Sequence, residues 1–358
     1  NGKVPVLQCV RTAEKKLGEN ATPRNYLPID GIAAYDRAVQ ETLFGKDTPA
    51  VKEGRIVTVQ TLGGTGGLKV GGDFIKRVNP GVDLYISDPS WENHRAIFEY
   101  AGYTVKTYPY YDASTNGLKF DAMLACFEAL PARTVVLLHA CCHNPTGVDL
   151  TPAQWEKVID VVKRRDLVPF LDIAYQGFAD GLEEDAATIR RFTAECKAVF
   201  VSSSFSKSLS LYGERVGALS IVTSSKEEAS RTLSQLKRVI RTNYSSPPTS
   251  GGQAVAMVLT TPELRQQWDQ ELGQMRERIK VMRKLLVEKI RTLRSDFDFN
   301  FIIEQRGMFS YSGLTKEQVK QLREEYSIYA IDSGRICVAA LNTKNIDYVA
   351  QAIAKVLV

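Results

Sequence analysis

Residues 167–174 constrain this chain more than any other stretch. They read Leu-Val-Pro-Phe-Leu-Asp-Ile-Ala, apolar at nearly every position. A strand with one face in water alternates apolar and polar side chains. An unbroken apolar run instead belongs to a strand covered on both faces, as in a parallel sheet sandwiched by helices. Comparable runs recur at 56–62, 84–87, 134–140, 198–203 and 218–222, with helix-period segments between them. One such segment opens with Thr151-Pro152-Ala153-Gln154, a capping box with proline at the first helical position. Trp155, Val158, Ile159 and Val162 follow it at helical spacing. Alternation of this kind predicts an α/β fold on a mostly parallel sheet flanked by helices.

After residue 222 the pattern changes. Thr261-Pro262 starts a helix whose apolar stripe runs through Leu264, Trp268, Leu272, Met275, Ile279, Met282 and Leu286. At about thirty residues it is too long for one compact layer and reads as a bridge between domains. Beyond it come a strand-like stretch at 299–303, a capped helix from Thr315, and strands near Ile328 and Ile336. A last amphipathic helix passes through Ile346, Val349, Ile353 and Leu357. We therefore expect a large domain over 26–275 and a smaller α/β domain over 276–358, joined by residues 1–25.

Composition removes several alternatives. The net charge of +5 over 358 residues is dispersed, and its densest run, 276–294, lies on the helical pattern. That is a solvated face and not a nucleic-acid stripe. Six cysteines without a Cys-x-x-Cys pair, and three histidines, predict neither a disulfide framework nor a metal site. Free thiols suit a reducing compartment, so a cytoplasmic location is expected. No apolar run reaches the length of a membrane span. The chain opens at Asn1-Gly2-Lys3 without Met, so a preceding segment is expected and targeting stays open.

Three features carry chemistry. The run Ser202-Ser203-Ser204-Phe205-Ser206-Lys207 ends a strand on a lysine, with Arg215 eight residues on. Alone, such a lysine is a surface cation. Asp172 sits inside the apolar run, where an unpaired charge costs several kcal/mol; it has a cationic partner, is protonated, or lies just past the strand end. Leu62-Gly63-Gly64-Thr65-Gly66-Gly67 turns from a strand into a helix, a geometry that offers N–H groups to a phosphate but often serves only tight packing. It matches neither the dinucleotide fingerprint nor a Walker loop. Together the three fit pyridoxal 5'-phosphate (PLP). That cofactor needs a lysine to bond its aldehyde, an acid to keep its pyridine nitrogen protonated, and a phosphate cradle. Lys207, Asp172, and Gly64 and Thr65 with Arg215 supply them.

The strings NYLP, GGTGGLK, SDPSWENH, HACCHNPTG, FLDIAYQGF, SFSKSLSLYGERVG, RTNYSSPP, RGMFS and GRICVA, in this order, resemble the aspartate/aromatic aminotransferases of PLP fold type I, closest to the aromatic branch. The resemblance covers essentially the whole chain, short of an N-terminal arm of about 30 residues. It implies that Trp91 stacks on the cofactor ring and that His94 supports Asp172 from behind. Asn144 and Tyr175 donate to the cofactor's phenolic oxygen, and Ser204 joins Gly64, Thr65 and Arg215 at the phosphate. Cis bonds precede Pro89 and Pro145. His139 and His143 pack or act at one remove. Tyr26 reaches the phosphate of the neighbouring subunit, so a homodimer with shared sites is implied. Arg335 binds the substrate α-carboxylate, for which a guanidinium fork is suited and a lysine is not. Asn144 and Trp91 also meet substrate. Arg241 reaches across the dimer to the distal carboxylate of aspartate or glutamate.

Ser246 stands where aspartate-specific members usually carry Asn, and the aromatic branch commonly has Ser. The implied reaction is transamination between an aromatic, and also dicarboxylic, L-amino acid and 2-oxoglutarate. A strict aspartate aminotransferase is the alternative. β-Decarboxylation would give alanine and carbon dioxide from aspartate instead of oxaloacetate. A PLP-binding regulatory module would carry a helix-turn-helix segment that is not visible in this sequence. No membrane or nucleic-acid partner is expected.

Overall fold

The computed structural model describes residues 4–20 and 23–357. Its strands are β1 Ile56–Leu62, β2 Leu84–Asp88, β3 Val105–Pro109, β4 Tyr111–Asp112, β5 Gly117–Leu118, β6 Val135–His139, β7 Val168–Ile173, β8 Val199–Ser204, β9 Val216–Val222, β10 Phe309–Tyr311 and β11 Arg335–Cys337. Seven of them form one sheet in the order β1-β9-β8-β7-β6-β2-β3. Strand β9 runs antiparallel to β1 and β8, and the other pairs are parallel.

Consecutive residues of the central strands feed opposite cores. Val136, Leu138, Leu171 and Val201 pack on one face, and Leu137, Phe170 and Phe200 on the other. That is why residues 167–174 are apolar at every step but Asp172: water reaches neither side. The edge strand β3 lacks this signature. Lys106 and Thr107 are exposed on it, and no apolar run marks it in the sequence.

The helix Pro152–Arg164 has the expected capping box, with Thr151 and Gln154 each satisfying the other's backbone N–H. The same device starts the helix Lys316–Tyr326 at Thr315 and Gln318. The long helix spans Pro262–Leu293, and the last helix, Ile346–Val356, packs on it. Residues 1–3, 21 and 22 of the segment expected to join the small domain lie outside the described residues. The helix Gln8–Glu19 packs on Pro262–Leu293 and on the helix Thr249–Thr260.

Two expected strands are absent. Phe301–Glu304 is a helical turn, with Phe299 stacked on Phe301 at 5.9 Å. A short apolar run cannot be told from a buried helical turn by periodicity. Near Ile328, Ser327 takes a left-handed φ of 53° and the Ile328 N–H closes the preceding helix on Leu322 O at 3.0 Å. A donor used as a helix cap is not free for a ladder. The strand at Ile336 is β11, paired antiparallel to β10. Among the described residues no helix is long and apolar enough to cross a membrane.

Candidate active site

In parallel sheets the carboxyl ends of the strands open onto a shared crevice. Here His139 on β6, Asp172 on β7 and Ser202 on β8 are in register, within two residues of those ends. Beyond the row, β8 runs out into Ser204, Ser206 and Lys207. A cleft of about 190 Å³ lies over this edge, lined by Gly64, Thr65, Trp91, Asn144, Asp172, Tyr175, Ser204, Lys207 and Arg215, with His139 and Tyr212 among the others. Two cavities of about 1130 and 530 Å³ lie elsewhere, and neither contains Lys207 or Asp172. Chemistry, not size, marks the site.

Asp172 lies within β7 and is 6 % exposed, so the possibility that it falls past the strand end is ruled out. Its partner is His94, fully buried, whose Nε2 is 2.7 Å from Asp172 Oδ2 while Nδ1 is 2.8 Å from Ser90 Oγ. Burial alone would raise the Asp172 carboxyl. The His94 hydrogen bond, helped by the positive charge of Lys207, outweighs it and holds the acid below the usual carboxylate range. Trp91 sets its ring edge-on to His94 at 5.2 Å. Lys207 Nζ sits 5.0 Å from the centroid of the Tyr175 ring. Its pKa is lowered by burial, and Arg215 adds to this against the opposing pull of Asp172. A lysine so placed keeps more of its amine neutral and nucleophilic. Burial raises Tyr175, so its phenol stays protonated at neutral pH.

At the opposite end, helix Gly63–Val78 begins directly where β1 stops. Gly63 has a φ of +65°, and a Cβ there would come within 2.7 Å of the Arg215 guanidinium. Arg215 has a left-handed backbone, and its guanidinium Nη1 donates to the Tyr212 carbonyl at 2.9 Å. Ser204 Oγ accepts from the Ser206 N–H at 3.2 Å. A helix N-terminus, an arginine and two hydroxyls thus converge as an anion cradle. At the rim, Arg335 Nη1 donates to Asn144 Oδ1 at 3.1 Å, and Asn144 Nδ2 donates to the Tyr175 hydroxyl at 3.4 Å. The Arg335 guanidinium lies 4.8 Å over the Phe309 ring.

His139 is a residue that the motif reading placed at one remove. It lines the cleft, and neither ring nitrogen has a partner. Burial, with His94 beside it, lowers its pKa to about 3, so it is a neutral imidazole. His143 is structural: its nitrogens meet Ser87 Oγ and Thr146 Oγ1 and its ring stacks on Tyr110 at 4.0 Å. His94, His139 and Asp172 bring possible ligand atoms within 4.8 Å of one another, but Ser90 and Asp172 already engage both nitrogens of His94. The peptide bonds before Pro89 and Pro145 are cis. Tyr26, 96 % exposed, and Arg241, exposed and bonded to Ser245 Oγ, do not line this cleft.

The donor set fits PLP. It offers one primary amine for an aldehyde, one buried carboxylate for a ring nitrogen, and a cradle that a side chain on Gly63 would fill. The unpartnered His139 nitrogens mark a place where a buried polar group is missing its mate. Fold and cleft together define a PLP-dependent enzyme of fold type I.

The chain belongs to the class I and II aminotransferases, whose family model matches residues 1–353. It is 58 % identical to the aspartate aminotransferase of Pseudomonas aeruginosa, over 99 % of this chain and 89 % of that protein. The crystal structure of the aromatic-amino-acid aminotransferase of Burkholderia pseudomallei, covalently bound to pyridoxal phosphate, is 64 % identical with a TM-score of 0.99, covering 100 % of this chain and 90 % of that one. The aromatic aminotransferase of Psychrobacter sp. B6, cocrystallised with aspartic acid, is 49 % identical with a TM-score of 0.98, over 99 % and 89 % of the two chains. This protein is a PLP-dependent aminotransferase that moves an amino group between an L-amino acid and a 2-oxo acid.

Proposed function

We propose that the cleft transaminates aromatic L-amino acids, and aspartate and glutamate as well, with 2-oxoglutarate as acceptor. The observation that carries the reading is the convergence of Lys207, Asp172 and Trp91 on one cleft, with Arg335 held at its rim by Asn144. When bound, PLP supplies an electron sink for the bond at the substrate Cα. Asp172, kept ionised by His94, would hold a proton on the cofactor ring nitrogen. Gly64, Thr65, Ser204 and Arg215 would hold the phosphate. Tyr175 and Asn144 would donate to the phenolic oxygen. Trp91 would pack against the ring. Arg335 takes the α-carboxylate in its fork, which orients Cα toward Lys207. Lys207 Nζ then removes the α-proton and returns it on the other side of the exchange.

Names among the relatives divide between aspartate and aromatic donors. The Psychrobacter aromatic enzyme was cocrystallised with aspartic acid, which supports a dual reading. Ser246 favours the aromatic branch here. A donor panel with 2-oxoglutarate tests the reading: phenylalanine and aspartate both turn over. Turnover of aspartate alone would make the enzyme a strict aspartate aminotransferase.

A homodimer completes this site, with Tyr26 and Arg241 of one subunit serving the cleft of the other. Their exposure, outside their own cleft, supports this assignment. The chain divides into a large domain over 26–275 and a small one over 276–358 with 1–25. All six cysteines are free, which suits the cytoplasm. Arg241→Ala lowers kcat/KM for aspartate about 10²-fold and leaves phenylalanine nearly unchanged, the loss expected for one charge partner. Mixing it with Lys207→Ala subunits restores aspartate activity to about a quarter of wild type, because one site in each mixed dimer has both residues. Mixed dimers that stay inactive would place Arg241 in its own subunit's site or outside it.

A further inference from the structure

The long helix Pro262–Leu293 buries a charge that the chemistry above leaves unused. Arg283 is 2 % exposed. Its Nη1 donates to Ile302 O at 3.1 Å and to Ser310 Oγ, and its Nη2 to Gly307 O at 2.7 Å and Phe309 O at 2.9 Å. All four acceptors are neutral; no carboxylate is among them. Burial lowers its pKa only to about 10, so it remains a cation at neutral pH. A buried cation with no carboxylate in hydrogen-bond contact, and Asp149 acting on it only through its charge at longer range, is an expensive way to fill space, and a hydrocarbon of similar volume would fill it more cheaply. A hydrocarbon cannot fix several acceptors at set angles, and a guanidinium fork can.

Those acceptors belong to the segment that supports Arg335. Phe309 lies under the Arg335 guanidinium, and Ser310 and Tyr311 are in register with Ile336 and Arg335. The same segment is stitched to the loop after Asn144. Arg306 N–H donates to Gly147 O at 2.7 Å and Tyr311 N–H to Thr146 O at 3.1 Å. Gly147 has a φ of +74°, and a Cβ on it would lie 2.6 Å from Phe309 O. Arg335 and its partner Asn144 are therefore both mounted on backbone that Arg283 holds from behind.

We propose that Arg283 is a positioning residue for substrate binding: through Ser310 and the carbonyls of Gly307 and Phe309 it sets the orientation in which Arg335 and Asn144 meet the α-carboxylate. The inference rests on reading Arg335 as the carboxylate anchor. Because every substrate carries that carboxylate, the effect of losing Arg283 is independent of the side chain. A lysine keeps the charge but reaches from a single nitrogen, so it cannot span the four acceptors.

The test uses purified holoenzyme of wild type, Arg283→Lys, Ser310→Ala and Arg335→Lys. It measures KM and kcat for phenylalanine, aspartate and 2-oxoglutarate, the Kd of 3-indolepropionate, which has a carboxylate and no amine, and the thermal midpoint. Arg283→Lys raises all three KM values and the Kd by a common factor of about ten, and Ser310→Ala by about three, with smaller changes in kcat and unchanged cofactor content. Ser310→Ala removes one acceptor at little cost in packing, so it decides the question if Arg283→Lys is recovered only as aggregate. A lowered thermal midpoint with unchanged KM and Kd in both variants, while Arg335→Lys raises them, overturns the role of Arg283 alone. If Arg335→Lys itself leaves KM and Kd unchanged, the carboxylate reading fails, and this inference with it.

Discussion

Lys207→Ala gives a folded protein that loses the absorbance of a cofactor bonded to the chain and transaminates at least about 10⁴-fold more slowly, the upper range for a positioned general acid–base. No other primary amine lines the cleft among the described residues, and Arg215 cannot give up its proton. Burial and Arg215 keep the Lys207 amine easier to deprotonate than a solvated lysine, so the loss removes both the bond to the aldehyde and the base at Cα. The fold tolerates the change because the main contact of the amine is the face of Tyr175. A spectrum and a single-turnover rate check it. Retention of both would remove Lys207 from the chemistry altogether.

The second large effect is expected at Asp172. Asp172→Asn lowers kcat about 10³-fold, in the range of one lost electrostatic contact to a charge that develops in the transition state. Asn keeps the shape of the side chain and an acceptor for His94 Nε2, so cofactor content and thermal midpoint stay near wild type. What goes is the negative charge that holds the ring nitrogen protonated. Asp172→Ala behaves differently: it strips a buried hydrogen-bonded partner from His94 and also costs about 3–5 kcal/mol in stability. Kinetics with parallel denaturation curves separate the two. An Asn variant with wild-type kcat would show that the carboxylate serves structure only.

Much of the site was legible because its signals are local. An acid inside residues 167–174 is conspicuous, since nothing else there is polar. A lysine after a serine run at a strand end becomes informative only beside that acid and the glycine-rich turn. The two lost strands show the limit. Residues 299–303 are nearly as apolar as a strand, yet Phe301–Glu304 is a helical turn, because a short apolar run carries no period that separates the two. Strand β3 leaves no apolar signature for the opposite reason: a sheet edge tolerates Lys106 and Thr107 in water. The sequence neighbours of His139 suggest only packing or a role at one remove; its unpartnered nitrogens at the cleft are what mark it out.

Binary patterning along the chain determined that this protein has a helix-covered parallel sheet, and residue type determined which groups can do covalent and acid–base chemistry. Both are properties of a short window, and burial follows directly from them. The tertiary structure alone decided who meets whom. His94 reaches Asp172 across 78 residues and Arg335 reaches Asn144 across 191, through crossovers whose register no local spacing specifies. It also decided that Arg283, one basic residue among many on a long amphipathic helix, faces inward onto four neutral acceptors, because a helix face becomes interior only when another segment packs against it.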